Sequence, residues 1–414
     1  MTAEIISVGT ELLLGNILNT NAQYLSRELA ALGITVRRQS TIGDNHDRLA
    51  DFVNEAKQRC DLLVFTGGLG PTADDLTKET VAACFGDTLT FDPEEWQKIV
   101  DFFTRTGRET TPNNRKQAMV PVHGHKVVNH HGTAPGAWFE QDGHCAVLMP
   151  GVPHEMKAMW EESVRPLLLA RQSCALHSLT LRVLGGESNL EYRVRALLEN
   201  PNPTAAIYCK TGECEIRITA RAQNDAEAQT MCRAYAKKFY DLLGDAVYDE
   251  DVAGLEETVV HTLRANGLTI ATAESCTGGQ IAQRMTALPG ASQVYRGGVV
   301  SYWTDMKADV LGVSREILDR YGAVSEQTAR AMAQGARRIT GADAAVSVTG
   351  VAGPDPDERG NGVGLVFIGL DTPEGTFCRR CDFGRRRRDR IQELAANHAF
   401  DLLRRYLSGA PLTL

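Results

Sequence analysis

Short apolar, β-branched runs alternate with amphipathic segments through residues 1–170 of the chain. Runs at 4–9, 34–36 and 61–65 predict buried strands, and apolar residues at helical spacing within 19–32 and 47–60 predict helices between them. This alternation predicts an α/β domain with a mostly parallel sheet and helices on both faces. Ligands of such sheets bind beyond the carboxyl ends of the strands.

Four loops of small or rigid residues follow predicted strands of this domain. They are residues 9–15, 66–75, 129–136 and 149–154. Together they outline a rim that suits a small ligand. The residues that we expect to contact a nucleotide there are Gly9, Glu11, Gly67, Gly68, Gly70 and Thr72.

The second loop has the composition of a phosphate site. Gly67, Gly68 and Gly70 expose backbone N–H groups that can cradle a phosphate. Asp74 and Asp75 supply hard oxygen ligands for a divalent cation that would neutralise the same phosphate. A tight turn whose two aspartates favour the start of the next helix explains the same residues. Both interpretations stay open from the sequence.

The pattern changes after residue 170. Alternating residues at 179–184, 204–209 and 213–220 predict three strands, and amphipathic segments at 187–198 and 225–243 predict two helices. Such a unit is a small α+β domain with helices on one face of its sheet. It contains no recognisable set of acid, base and nucleophile, so we interpret it as a spacer or dimerisation module.

The length of 414 residues predicts two or three domains. The acidic stretch at 245–251 predicts a linker before the last domain. We therefore divide the chain into domains at 1–170, 171–250 and 251–414.

The last domain opens with a strand, a turn and a helix. Residues 268–270 predict a buried strand and residues 280–287 a helix, which puts Ser275 on the turn between them. Thr277 can cap the helix, and the two glycines that follow let another molecule approach the backbone. Such a turn can hold a nucleophile beside free N–H groups. Taken alone, the turn is better explained by simple capping by Ser275 and Thr277, with glycines that ease packing.

A serine nucleophile needs a base. The only histidines of this domain, His261 and His398, lie on predicted helices at its two extremities. Lys307 is the alternative, because a partly desolvated lysine can be neutral enough to accept a proton. Tyr302 lies close enough in sequence to position that proton. An ordinary solvated lysine remains the competing interpretation, and Cys276 is best explained as a small buried residue.

Two further features suit a ligand. A strand at 344–349 runs into a glycine-containing loop, and the residues expected to contact substrate there are Thr349, Gly350, Ala352 and Gly353. Arginines 385–388 and Arg390 lie at a helix start. A solvated basic turn explains them, although one or two guanidinium groups would suit a phosphate.

Composition restricts the class of partner. A net charge of −8 argues against a dedicated nucleic-acid-binding protein, and the longest apolar run is too short to span a membrane. The first residues lack the features of a signal peptide. Ten scattered cysteines indicate reduced thiols. We expect a cytoplasmic protein without nucleic-acid or membrane partners.

Several motifs share their order and spacing with one known family. They are residues 9–15 (Gly-Thr-Glu-Leu-Leu-Leu-Gly), 66–72 with Asp74 and Asp75, 132–136, 150–153, 274–279 (Glu-Ser-Cys-Thr-Gly-Gly), Tyr302 with Lys307, and 351–354. On these motifs the whole chain resembles the CinA family (competence/damage-inducible protein A). The resemblance implies a molybdopterin-cofactor-binding-like first domain and a last domain similar to nicotinamide mononucleotide deamidases.

For the last domain, the resemblance implies an amidohydrolase that releases ammonia from nicotinamide mononucleotide without a cofactor. Ser275 would attack the carboxamide, Lys307 would be its base, and Tyr302 would assist. We further infer that the backbone of Thr277, Gly278 and Gly279 contacts the substrate and forms the oxyanion hole. The same resemblance implies that Arg386 and Arg390 hold the ribose phosphate.

For the first domain, the resemblance implies a metal-dependent ADP-ribose pyrophosphatase with Asp74 and Asp75 near a divalent cation. We further expect a homodimer. Two alternatives stay open: only the pyrophosphatase is active, or the chain is a non-catalytic regulator that binds nucleotides.

Overall fold

The computed structural model describes residues 1–171 and 174–412. Residues 172–173, next to the predicted first domain boundary, and 413–414, at the end of the predicted last domain, lie outside the described residues. The chain divides into two compact units. The first holds Met1–His177 and Arg221–Ala228, and the second holds Ser178–Ala220 and Gln229–Leu414.

The first unit contains a six-stranded sheet with the order β2-β1-β3-β8-β7-β6. Strands β2, β1, β3 and β8 are parallel, whereas β7 and β6 are antiparallel additions at one side. The predicted mostly parallel sheet is therefore confirmed. The strands are β1 Thr2–Val8, β2 Thr35–Ile42, β3 Leu62–Thr66, β4 Leu89–Phe91, β5 Met119–Pro121, β6 His125–Val127, β7 Gly136–Gln141 and β8 His144–Met149. The helices are α1 Thr10–Leu13, α2 Thr20–Ala31, α3 His46–Lys57, α4 Thr77–Cys84, α5 Pro93–Arg105, α6 Pro153–Met159 and α7 Arg165–Ala170, with a 3-10 segment Pro112–Ala118 and a π segment Trp160–Val164.

Strand β3 shows why this sheet is covered on both faces. Leu62 and Val64 pack into one apolar core, which includes Leu25 of α2. Leu63 and Phe65 pack into another on the opposite face. Because both faces are buried, the strand is an unbroken apolar run rather than an alternating one.

The middle segment forms a four-stranded sheet with the order β10-β11-β9-β12. Its elements are β9 Ala175–Leu184, α8 Glu187–Leu198, β10 Thr204–Lys210, β11 Glu213–Ala222, α9 Asp225–Leu243, a 3-10 turn Gly244–Ala246 and β12 Val247–Glu250. The linker predicted at 245–251 is wrong, because β12 pairs antiparallel with β9. Val247 and Tyr248 are buried, and their burial stabilises the strand. The neighbouring acidic residues made this segment resemble a linker in the sequence.

The last segment forms a five-stranded sheet with the order β14-β13-β15-β16-β17. The first three strands are parallel, β16 pairs antiparallel with β15, and β17 pairs antiparallel with β16. The strands are β13 Ile270–Glu274, β14 Tyr295–Val300, β15 Ala344–Gly350, β16 Leu365–Thr372 and β17 Gly375–Asp382. The helices are α10 Leu255–Asn266, α11 Gln280–Thr286, α12 Thr304–Asp309, α13 Arg315–Tyr321, α14 Glu326–Thr340 and α15 Arg388–Ser408, with a 3-10 turn Ala291–Gln293.

Strand β13 differs from its predicted span of 268–270. It continues to Glu274, so four residues assigned to the turn belong to the strand. Ile270 packs into the core on one face of the sheet, and Ala271 and Ala273 pack into the core on the other. Because residues on both faces are buried, the strand extends up to Ser275.

Candidate active site

Ser275 lies directly after β13, on the predicted strand-to-helix turn. Its backbone N–H donates to the carbonyl oxygen of Val348 on β15 at 3.0 Å, and the residue is 9% exposed. Gly278 and Gly279 have φ values of 64° and 98°, which side chains rarely adopt, so the chain can turn sharply into α11. The sheet therefore presents the serine hydroxyl at the carboxyl ends of its parallel strands.

The helix after this turn is capped by Glu274 rather than by Thr277. The Glu274 carboxylate is buried and accepts N–H donors from Gly279, Ile281 and Ala282 at 3.0, 3.1 and 2.9 Å. A negative charge at a helix N-terminus is stabilising. Within the part of the chain that the structure describes, the Thr277 hydroxyl has no hydrogen-bond partner, so the predicted capping role is wrong.

Lys307 lies on α12 and is only 1% exposed. Its Nζ atom is 3.0 Å from Ser275 Oγ and donates to the carbonyl oxygen of Ser301 at 2.6 Å. Ser301 is fixed in turn, because its N–H donates to the Glu274 carbonyl oxygen at 2.8 Å. Burial lowers the pKa of Lys307 to about 8, since desolvation disfavours the ammonium form. A serine hydroxyl and a partly neutral amine are thus in contact.

A cavity of about 290 Å³ opens beside this pair. The predicted contacts Thr349, Gly350, Ala352 and Gly353 line it, together with Ser275, Cys276, Tyr302, Lys307, Ala323, Val324, Val351, Asp355, Asp357 and Arg388. Thr277, Gly278 and Gly279 are not among the lining residues. The substrate-binding residues that the sequence predicts on this turn therefore do not line the cavity.

The backbone of the turn is largely committed to internal hydrogen bonds. The N–H of Gly278 donates to the Ser275 carbonyl oxygen, and that of Gly279 donates to Glu274. Neither N–H is available to an oxyanion. Among residues 1–171 and 174–412, the N–H of Thr277 donates to no acceptor, and the N–H of Cys276 interacts only with the thiol of the same residue.

Cys276, the residue next to Ser275, is unsuited to act as a nucleophile. Cys276 is 4% exposed, and burial raises the pKa of its thiol to about 12. The thiol therefore stays protonated near neutral pH, whereas a thiolate is the reactive form.

Arg388 is the arginine that reaches the cavity. Its guanidinium donates to the Gly353 carbonyl oxygen and to the Tyr302 hydroxyl, both at 2.6 Å. The predicted arginines point elsewhere: Arg386 donates to the Phe383 carbonyl oxygen, and Arg390 lies 3.5 Å from Glu393. The sequence missed Arg388 because five neighbouring arginines carry no signal that distinguishes one from another.

In the first unit, the predicted loops surround one cavity of about 600 Å³. Every residue that the sequence predicts for nucleotide or metal binding lines it: Gly9, Glu11, Gly67, Gly68, Gly70, Thr72, Asp74 and Asp75. Asp44 and Glu155 add two more carboxylates. Gly67 must be a glycine, because its φ is +104° and a side chain there would collide with the Val8 carbonyl oxygen.

The two predicted metal ligands face the same hydroxyl. The Thr72 hydroxyl lies 2.5 Å from Asp75 and also contacts Asp74, and its hydrogen bond to Asp74 lowers the pKa of that carboxyl. Among the described residues, no three histidine, cysteine or acidic side chains converge on one point. Magnesium usually binds through one or two carboxylates together with phosphate oxygens. The pair therefore fits a cation shared with a substrate's phosphates rather than an ion held by protein alone.

Three known family models match successive parts of the chain. The family model "Probable molybdopterin binding domain" matches residues 4–170, "Damage-inducible protein CinA KH domain" matches 178–248, and "CinA C-terminal domain" matches 252–407. These matches define a multidomain α/β protein of the competence/damage-inducible class. They confirm the predicted fold class, whereas the exact domain boundaries stay a prediction.

Full-length relatives narrow this class to one family. A competence-damage inducible protein of Caldanaerobacter subterraneus is 44% identical over 99% of both chains. A CinA-like protein of Kosmotoga olearia is 45% identical over 98% of this chain and 99% of its own. The chain belongs to the CinA family.

A solved structure of a competence/damage inducible protein from Agrobacterium tumefaciens is 38% identical, with a TM-score of 0.36. It covers 37% of this chain and 95% of its own. Over residues 1–171 and 174–412, none of the helices has the length and apolar character needed to cross a membrane.

Proposed function

We propose that the second unit hydrolyses the carboxamide of nicotinamide mononucleotide to nicotinic acid mononucleotide and ammonia, a reaction of pyridine nucleotide salvage. The observation that carries this proposal is the 3.0 Å contact between Ser275 Oγ and Lys307 Nζ in a site with a cavity beside it. A hydroxyl and a neutral amine at this distance form the nucleophile–base pair of acyl transfer.

The first half of the reaction makes an acyl-enzyme. The neutral amine of Lys307 accepts the hydroxyl proton of Ser275 while Oγ bonds to the carboxamide carbon. The carbonyl electron pair moves to oxygen, where the N–H group of Cys276, a residue that lines the cavity, would stabilise the negative charge. When the C–N bond breaks, Lys307 returns the proton to the departing nitrogen and ammonia leaves.

The second half reverses these roles with water. Lys307 accepts a proton from water, whose oxygen bonds to the ester carbon. The bond to Ser275 Oγ then breaks, and Lys307 returns the proton to the serine. The product is a carboxylic acid, and the sequence of steps needs no cofactor.

Recognition of the substrate's phosphate is assigned to Arg388 instead of Arg386 and Arg390. Its guanidinium is held at the cavity by Tyr302 and Gly353, and its exposed N–H groups suit a phosphate. Because the Tyr302 hydroxyl accepts from Arg388, its own proton remains available to a substrate oxygen.

The test is ammonia release from nicotinamide mononucleotide by full-length protein. A Ser275→Ala variant should release no ammonia above background while keeping the wild-type melting temperature. Ser292→Ala removes an exposed serine outside the cavity and should keep the wild-type rate. A Ser275→Ala variant with the wild-type rate contradicts the proposal. A non-catalytic regulator would bind the nucleotide in calorimetry and turn over none of it.

A second candidate function belongs to the first unit: hydrolysis of the pyrophosphate of ADP-ribose with a divalent cation. The supporting observation is the 600 Å³ cavity that gathers the glycine loops and acidic side chains. An Asp75→Ala variant should lose metal-dependent hydrolysis, whereas Asp51→Ala, an exposed change on α3, should not. If the Asp75→Ala variant hydrolyses ADP-ribose at the wild-type rate, this second candidate function is contradicted.

A further inference from the structure

A second, smaller cavity of about 80 Å³ adjoins the large cavity of the first unit. The two share the lining residues Val8, Glu11, Gly151 and Pro153. The remaining walls of the small cavity are Leu12, Ile17, Leu18, Asn19, Thr20, Asn21 and Thr66. It is too small for a whole nucleotide, but it is large enough for one end of a ligand that occupies the large cavity.

The orientation of Asn21 is fixed by a chain of hydrogen bonds. The Thr66 hydroxyl donates its single proton to the Pro150 carbonyl oxygen at 2.9 Å, so it can only accept from Asn21. Asn21 Nδ2 is 2.8 Å from Thr66 Oγ1 and 2.8 Å from the Gly151 carbonyl oxygen. Both amide protons are therefore used, and the alternative amide orientation would set oxygen against oxygen.

The other atom of this amide is left without a donor. Asn21 is 7% exposed, and within the described ranges its Oδ1 is buried and has no hydrogen-bond partner. Buried acceptors in proteins are nearly always paired with a donor from protein, water or ligand. An acceptor held in a fixed direction beside a cavity is the arrangement that recognises a donor on a bound molecule.

The charge of the surroundings decides which end of a nucleotide lies here. Oδ1 can only accept a hydrogen bond, and an ionised phosphate has only acceptor oxygens, so a phosphate cannot pair with it. Phosphates fit the glycine loops of the large cavity instead. The exposed side chains of Ile17 and Leu18, at 54% and 87%, offer apolar surface to an uncharged group.

We propose that Asn21 Oδ1 accepts a hydrogen bond from the uncharged end of a nucleotide whose phosphates lie at the glycine loops. The donor is an N–H of the base amino group or an O–H of the ribose. This inference rests on the second candidate function, because it needs a nucleotide in the large cavity.

Calorimetry of full-length protein with magnesium separates the two donors. ADP is compared with purine riboside diphosphate, which lacks the amino group, and with 2′-deoxy and 3′-deoxy ADP. One analogue should bind about 10-fold to 100-fold more weakly than ADP, because it leaves the buried acceptor unpaired. An Asn21→Ala variant should bind that analogue and ADP equally. Asn45→Ala, which removes the cap of α3 outside both cavities, should keep the difference.

The wild-type comparison needs no variant, so it stands even if Asn21→Ala folds poorly. Equal binding of ADP and all three analogues would overturn the role of Asn21 while leaving a nucleotide site in place. An absence of ADP binding would overturn both the inference and the second candidate function.

Discussion

The lowered pKa of Lys307 predicts that amide hydrolysis accelerates as pH rises through about 8. With that pKa, about a tenth of the lysine is neutral at pH 7, whereas a usual value of 10.5 would leave about one part in 3,000. Burial therefore increases the population of competent base about 300-fold at neutral pH. The rate constant kcat/KM should rise about tenfold per pH unit below 8 and level off above about 9.

The assay is the initial rate of ammonia release between pH 6.5 and 9.5. Because a monoester phosphate titrates near pH 6, the profile is repeated with nicotinamide riboside, which lacks that group. A profile that is flat or falls over this range would refute Lys307 as the base. A Lys307→Arg variant keeps a cation that cannot deprotonate in a protein, and it should be inactive at every pH.

The same pKa has a consequence for stability. Between pH 8 and 10.5 the unfolded chain keeps a proton on Lys307 that the folded chain has lost, so stability rises with pH across this window. The full change corresponds to about 3 kcal/mol. Urea unfolding of wild type and Lys307→Met at pH 7 and 10.5 isolates this term, because lost hydrogen bonds affect both pH values alike. If wild type and Lys307→Met differ in unfolding free energy by the same amount at both pH values, the lowered pKa of Lys307 is contradicted.

Three further outcomes follow from the site. Glu274→Gln should destabilise the protein by about 2 kcal/mol in urea unfolding, because an amide cannot replace a carboxylate that accepts three N–H groups; equal stability would contradict the capping role. Arg388→Ala should raise KM for nicotinamide mononucleotide far more than for nicotinamide riboside, whereas Arg390→Ala should alter neither. Cys276→Ala should keep ammonia release near the wild-type rate, and complete loss would restore the thiol as nucleophile.

The sequence predicted those features that depend on local pattern. Apolar runs with both faces buried identified most strands, and the turn that carries Ser275 was found from small residues between a strand and a helix. The contact between Ser275 and Lys307 does not follow from local pattern, because 32 residues separate them in sequence. The parallel pairing of β13 with β14 brings the two side chains together. The sequence led to Lys307 only because the histidines were unsuitable and through the family resemblance, since a single sequence does not show strand pairing.

The errors have a common physical origin in burial. Glu274 was overlooked because a carboxylate next to a turn is usually solvated, whereas here it is buried against three N–H donors. Val247 and Tyr248 were hidden in an acidic stretch until pairing with β9 buried them. Whether a polar residue is buried depends on distant parts of the chain, and local composition does not report it.

The backbone hydrogen bonds of Ser275 to Val348 and of Ser301 to Glu274 tie the reacting pair to the ends of three neighbouring strands. The distance between Ser275 Oγ and Lys307 Nζ is consequently set by the distance between neighbouring strands, which is nearly constant. It depends little on the flexibility of the lysine side chain. Substitutions at Asp355 and Asp357, which line the cavity, can therefore change the ligand that fits there while the spacing of Ser275 and Lys307 stays the same.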